Sequence, residues 1–331
     1  NMAANTAGIT GLSWIKNRDA TDAGIFQDRV RGQYVYMTNL LSTIADTTNT
    51  NSVQQFLQQG VQIGNMDEVN TSAESFVLWQ WANDGAETSN SDGTISGGST
   101  VRVNTTAGFS IGTYNGSGSA STVGHGLGAI PHFIIVWPKS NPGDHRVYHQ
   151  TTGNTVGMKF NTDSYTGSAG VTNSQWWNDS GPTADTFSIG TGTDVNQSGQ
   201  SHLFYAWTEI EGYSKFGSYV GNGSTTGAGP FIYLGFKPSW IMVKRTDSTN
   251  NWGILDNQRN PYNYTDLVLF ADDDQTESGS GNEYTIFTAN GFKISNDSTA
   301  NWINASSGTY IYAAFAENPF GGSGVAQARA S

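Results

Sequence analysis

Cysteine is absent from the 331 residues. A disulfide scaffold, a thiolate zinc site and a cysteine nucleophile are therefore excluded. Charge is scarce as well. Asp, Glu, Lys and Arg make up 13% of the chain, with 15 basic against 27 acidic residues and a net charge of -12. That balance excludes a basic nucleic-acid binder, which has to neutralise phosphates. No apolar run approaches the roughly 18 residues of a membrane span. Helix formers are sparse, and only Ser52 to Gln59, SVQQFLQQ, reads as a helix, about two turns long. The opening Asn1-Met2 is followed by neither a basic n-region nor an apolar h-region, so no signal peptide is expected.

What is abundant points to β-structure. Glycine occurs 41 times, and 10 Trp, 14 Tyr and 16 Phe bring aromatics to 12%. Such an aromatic content excludes a disordered chain. Aromatic and β-branched residues suit a pleated, half-buried surface. Gly and Asn supply the positive φ of tight turns.

One pattern recurs three times. An apolar strand, a polar turn and a second strand appear as Leu12-Ser13-Trp14-Ile15-Lys16 with Ile25-Phe26-Gln27-Asp28. They return as Phe133-Ile134-Ile135-Val136-Trp137 with Arg146-Val147-Tyr148-His149. The third occurrence is Trp240-Ile241-Met242-Val243-Lys244 with Gly253-Ile254-Leu255-Asp256. Each copy closes on a matching strand: Phe76 to Trp81, His202 to Trp207, and Tyr310 to Phe315. Shortly before it come Val69-Asn70, Val195-Asn196 and Ile303-Asn304. A joining block, Gly108 to Gly118 and Gly212 to Gly223, precedes the second and third copies but not the first. The missing strand is explained by a cut from a longer repeat protein, or by supply from another segment or subunit.

The expected fold is all-β, as three tandem antiparallel β-sandwich repeats of jelly-roll-like type, the first lacking its leading strand block. Expected bounds are 1–85 for the first repeat, 108–211 for the second and 212–320 for the third. Residues 86–107 read as a Gly/Ser/Thr-rich linker or hairpin, and 321–331 as a flexible tail or docking arm. The nearly continuous apolar runs at 134–137 and 240–243 suit strands covered on both faces.

Candidate chemistry is thin. Trp176, Trp177 and Asn178 sit in a Ser/Asn-rich stretch. They read either as a sugar platform, with flat rings on pyranose faces and an amide for hydroxyls, or as a plug closing the second sandwich. Asp272, Asp273, Asp274 and Glu277 offer hard oxygens to Ca²⁺, or form a solvated loop. His145 and His149 share a strand face near Asp144, a metal or acid/base group if they converge and ordinary polar residues if not. Asp179, Asp185, Asp194, Glu209 and Glu211 cannot be paired from sequence into a hydrolytic dyad. Gly124-His125-Gly126-Leu127-Gly128 runs into Pro131 and a strand rather than a helix, so a phosphate loop is excluded.

The ordered blocks, among them Ala107-Gly108-Phe109-Ser110-Ile111, Gly124-His125-Gly126-Leu127-Gly128, Gly221-Asn222-Gly223 and Ala313-Ala314-Phe315-Ala316-Glu317-Asn318-Pro319-Phe320, carry a resemblance. Together they resemble an uncharacterised tandem-repeat family encoded by tailed bacteriophages, notably marine ones, over residues 10 to 320. The resemblance implies a non-enzymatic virion structural protein, a tail fibre or host-surface-binding component. Capsid decoration, cement or a filament is the first alternative and a polysaccharide depolymerase the second. It implies other virion proteins, copies of the chain and host cell-surface glycan as partners, with no nucleic acid and no membrane insertion. It also implies a homo-oligomer in an extracellular particle, made in the host cytoplasm. No cofactor is expected beyond Ca²⁺ in the acidic loop.

Overall fold

The computed structural model describes residues 9–38, 46–58, 60–164, 174–260, 264–279, 284–295 and 300–316. The chain is all-β, built from antiparallel sheets with, among the described residues, four single-turn α-helices and one 3₁₀ turn at Gly153–Thr155. The first unit holds β1 (Thr10–Asn17), β2 (Ile25–Asp28), β3 (Val35–Thr38), β4 (Thr47–Thr48), β5 (Val53–Leu57), β6 (Gly60–Ile63), α1 (Asp67–Asn70) and β7 (Phe76–Ala82). Its main sheet runs β4-β3-β2-β1-β7, with the β5-β6 hairpin as a second layer.

The second unit begins with β8 (Thr88–Asn90), β9 (Ser99–Asn104), β10 (Phe109–Asn115), β11 (Ser121–Gly124), β12 (Phe133–Pro138), β13 (Arg146–His149) and β14 (Met158–Lys159). It continues through α2 (Ser174–Trp177), β15 (Thr186–Ile189), α3 (Thr193–Asn196) and β16 (Ser201–Trp207). Its main sheet runs β14-β13-β12-β16-β10-β9-β8, backed by β11-β15. Residues 88–104 thus form a hairpin that extends this sheet past β10.

The third unit comprises β17 (Ser214–Val220), β18 (Phe231–Tyr233), β19 (Pro238–Arg245), β20 (Gly253–Asp256), β21 (Tyr264–Thr265) and β22 (Leu269–Phe270). β23 (Thr285–Thr288), β24 (Gly291–Ile294), α4 (Asn301–Asn304) and β25 (Thr309–Ala316) complete it. The order β17-β25-β19-β20-β22 faces a second layer, β18-β24-β23-β21.

Registers make the three units superimposable in sequence terms. Leu12, Phe133 and Trp240 lie opposite Asp28, His149 and Asp256 on the next strand. The same three residues lie opposite Trp81, Trp207 and Phe315 on the closing strand. The single-turn helices repeat too. Val69, Val195 and Ile303 plug the outer core from α1, α3 and α4.

The three units are not separate beads. Period-two alternation sends every second residue of each central strand to one shared core. Leu12 and Trp14, Phe133, Ile135 and Trp137, and Trp240 and Met242 all join that cluster, as do Trp79, Trp81, Tyr205, Trp207 and Phe315. The intervening residues face outward to a private core in each unit: Ile15, Ile134 with Val136, and Ile241 with Val243. The apolar runs of these strands are explained by burial on both faces. Edge-to-face ring pairs cross the shared core between units. Trp81 meets Trp207 at 6.0 Å and Trp240 at 5.9 Å, and Phe26 meets Trp137 at 4.7 Å.

The expected helix at 52–59 is a strand instead. Val53–Leu57 pairs with Gly60–Ile63, and Val53 is buried in the first unit's outer core. Two turns of isolated helix are marginal in water. Ladder bonding and burial of Val53 outweigh the helical propensity of the glutamines.

Candidate functional site

Polar residues buried between the units follow the same threefold logic. The last residue of each second strand reaches into the closing strand of the next unit. Asp28 Oδ2 accepts from the Tyr205 hydroxyl at 2.8 Å. His149 Nε2 lies 3.2 Å from the Tyr312 carbonyl. Asp256 Oδ2 accepts from Trp79 Nε1 at 3.1 Å. First meets second, second meets third, and third meets first.

Two of these nodes carry an arginine one turn later. Arg31 binds Asp28 through Nε at 2.6 Å and also reaches the Phe26 carbonyl and Tyr205. Arg259 repeats the pattern on Asp256 and the Ile254 carbonyl. Burial opposes charge on Arg31, but Asp28, Tyr205 and Asp46 hold it protonated and raise its pKa. Burial likewise opposes charge on Asp256. Arg259 and the Trp79 indole overcome it and lower its pKa. Outer ion pairs close the same seams: Arg18 with Glu277 at 2.7 Å, and Lys139 with Asp46 at 3.8 Å. The chemistry these groups perform is adhesion between sheets.

The residues singled out from sequence are placed as follows. Trp176 and Trp177 are 7% and 1% exposed and belong to the second unit's private core. The Arg146 guanidinium covers Trp176 at 3.6 Å, and Trp177 donates to the Val156 carbonyl. Their faces are taken, so the plug reading describes them and no pyranose can stack there on the folded protein. Asn178 is exposed beside them, with φ of 49°.

The acidic loop does not converge on a cation. Glu277 is spent on Arg18 and Arg259. Asp273 accepts from Asn251 and from the Gln275 amide. Asp272 accepts from the Trp252 amide, and burial pushes its carboxyl up to about 7. Asp274 is half-buried in the same loop. Among the described residues no group of three or more His, Asp or Glu is gathered as a metal cage.

The histidines are dispersed: His125, His145, His149 and His202 are buried and His132 is half-buried. His145 stacks on Trp137 at 4.2 Å, and burial drives its pKa down to about 3. His149 is lowered to about 4 by burial, with His132 adding to the effect. Its Nδ1 accepts from the Thr151 amide, so Nε2 carries the proton given to Tyr312. His125 and His132 likewise accept backbone amides at Nδ1, from Leu127 and Glu209. His202 stacks on Tyr114 at 5.3 Å. Of the carboxylates, Asp194 binds Arg146 and Glu209 binds Gln150 and the Phe216 amide. Asp179, Asp185 and Glu211 are exposed singly.

Sequence reasoning missed a surface on the third unit. On β18 the buried Ile232 is flanked by Phe231 and Tyr233, 49% and 60% exposed. The Phe231 ring leans across Gly291, where a Cβ would lie 3.1 Å from Cζ. Lys293 stands opposite Phe231 on β24. The Lys215 ammonium lies 5.4 Å from the Tyr233 ring centre and donates to the Tyr233 carbonyl. Two flat rings and two cations therefore share one face of an otherwise acidic protein. The signal was available as an aromatic-apolar-aromatic triplet with period two, but nothing in it said which side faced water.

Among the described residues no helix is long and apolar enough to cross a membrane. No curated protein and no solved structure matches the chain. A family profile does match, over residues 4–319, and its description is a domain of unknown function. By that match across nearly its whole length, the chain belongs to the DUF7483 family.

Proposed function

We propose that the chain is a non-enzymatic structural protein of a bacteriophage particle that contacts the host surface, in the manner of a tail-fibre component. The observation that carries the binding part is the exposed Phe231-Tyr233 pair flanked by Lys215 and Lys293. Aromatic rings stack on the apolar faces of sugars, and nearby ammonium groups favour sugars bearing carboxylate or phosphate. The phage assignment rests on the sequence blocks quoted above. The structural part draws on the use of buried charge: Asp28, Arg31, Asp256 and Arg259 are committed to holding sheets together. Presentation of many copies on a particle multiplies a weak contact into firm attachment.

The test is binding of purified protein to intact host cells and to an acidic-glycan array, with Phe231→Ala/Tyr233→Ala as comparator. Loss of at least about tenfold in binding with an unchanged melting temperature supports the reading, a factor worth about 1.4 kcal/mol. Equal binding by both proteins, or none by either, removes it.

A further inference from the structure

The second layer of the third unit carries a row of side chains across its outer face. The sheet runs β18-β24-β23-β21. Its registers place Phe231 opposite Lys293, Lys293 opposite Ile286, and Ile286 opposite Tyr264. Directly opposed residues of antiparallel strands share one face. The adjacent row, Ile232, Phe292 and Phe287, points the other way into that unit's private core. Phe231 and Tyr264 stand at the two ends of the outer row, 49% and 47% exposed. Lys293 and Ile286 lie half-buried between them. Tyr233, with Lys215 against its ring, widens the Phe231 end.

The matching strands of the other two units hold different residues. Val61-Gln62-Ile63, Phe187-Ser188-Ile189 and Phe292-Lys293-Ile294 occupy the same place in the three copies. Lys293 therefore stands where the first unit has Gln62 and the second has Ser188. Gln62 lies one register step from Val61 and opposite Gln55, and Ser188 lies opposite Thr122. Two units fold with neutral polar groups there, so the fold itself demands neither a cation nor a flat ring at these positions. The chain carries a net charge of -12, yet Lys293 and Lys215 both stand beside these rings. The acid that follows β21, Asp266, accepts from the Asn260 amide group. The row thus joins exposed rings to local positive charge on an acidic protein.

From β18 to β21 the row crosses the width of the sheet, about 14 Å at ordinary strand spacing. An extended chain of pyranoses advances by roughly one strand spacing per sugar, so about four successive sugars match the distance from Phe231 to Tyr264. The two end rings offer stacking faces, Ile286 an apolar floor, and the Lys293 ammonium a partner for an anionic group. We infer that this row binds a segment of an acidic polysaccharide, lying across the strands from Phe231 to Tyr264 with a sugar carboxylate against Lys293. The inference rests on the surface-binding reading above and names its ligand: the interior of an extended chain rather than a single terminal sugar.

Calorimetric titration of the full chain with oligogalacturonates, from a single sugar to about eight, tests length and charge together. Wild-type affinity should climb to about four sugars and then level off. Tyr264→Ala should bind the dimer as the wild type does and the tetramer at least about fivefold more weakly. Lys293→Gln should weaken the tetramer by a similar factor and flatten the dependence of binding on salt. Neutral cello-oligosaccharides of equal length should bind at least about tenfold more weakly than the acidic ones. Melting temperatures equal to the wild type show that both variants are folded. Dimer binding that needs Phe231 and Tyr233 but neither grows with length nor separates Tyr264→Ala from wild type overturns the row and leaves the surface-binding reading standing. Equal affinity for neutral and acidic chains overturns the acidic ligand. Failure to bind any oligogalacturonate, in a protein that still attaches to host cells through Phe231 and Tyr233, overturns the inference alone. Loss of cell attachment as well removes both.

Discussion

Removing one hydroxyl from the seam between the first and second units isolates the tie that the structure places there. Tyr205 is fully buried, donates to Asp28 Oδ2 at 2.8 Å and accepts from Arg31 Nη2 at 3.0 Å. Tyr205→Phe keeps the ring in the shared core but leaves a buried carboxylate and a buried guanidinium each short of one partner. Hydrogen bonds to charged groups contribute about 1.5–3 kcal/mol, so the expected loss is about 3 kcal/mol. With an unfolding entropy of about 2 cal/mol/K per residue, that corresponds to a melting temperature lower by about 4 °C. The comparator is Tyr114→Phe, whose buried hydroxyl makes one neutral bond within its own unit, to the Val195 carbonyl. It should lose about 1 kcal/mol. Chemical denaturation of both variants and of Asp28→Asn/Tyr205→Phe closes a double-mutant cycle across the seam. A loss for Tyr205→Phe below about 1 kcal/mol, or no coupling to Asp28, refutes the assignment of this node as an inter-unit tie.

Acid should destabilise the protein through its buried imidazoles. His149 has its pKa lowered by burial from 6.5 to about 4. Between those values the unfolded chain takes up a proton that the folded chain refuses, so stability falls as pH drops from 6.5 through 4. The full loss from His149 is about 3 kcal/mol. His145, lowered to about 3, extends the window downward. Asp272, raised to about 7, acts the other way: its contribution grows as pH falls from 7 toward 3.8. Denaturation midpoints at pH 7, 5.5 and 4 should decline in the wild type and decline less in His149→Gln, and parallel declines would contradict the reading. Gly112→Ala places a Cβ 2.4 Å from Phe204 Cζ and 2.9 Å from the Thr100 carbonyl oxygen. It should cost about 2 kcal/mol by overpacking a core sheet, and a neutral result in urea unfolding would contradict the packing described.

Much of the architecture was legible in the sequence because each strand carries two hydrophobic faces. Ile134 to Trp137 and Trp240 to Val243 read as doubly covered strands and are so. What the second cover consists of was not legible. Alternation tells which residues are buried, but not whether Trp137 and Trp240 meet their own unit or a neighbour. The polar repeats held the missing clue. Asp28-x-x-Arg31 and Asp256-x-x-Arg259 share one spacing and end a strand in two copies. Paired charges at a strand end signal a buried node more than a solvated turn. Trp176 and Trp177 stayed ambiguous in the sequence for a related reason. Aromatic density in a polar stretch marks either a platform or a plug, and only the position of Arg146 and Val156 decides between them. The Phe231-Tyr233 surface went unseen because a three-residue edge strand has no local feature that orients it.

Differential scanning calorimetry of the intact chain tests most directly whether the three sheets form one body around a shared core. Leu12, Trp81, Phe133, Trp207, Trp240 and Phe315, drawn from all three units, line one apolar space at its centre. No unit can then open without exposing core residues of the other two. The expected trace is a single transition whose calorimetric enthalpy equals the van't Hoff enthalpy, a ratio of about one. Separate transitions, or a ratio near about three, would show three independently folding sandwiches and contradict the shared core.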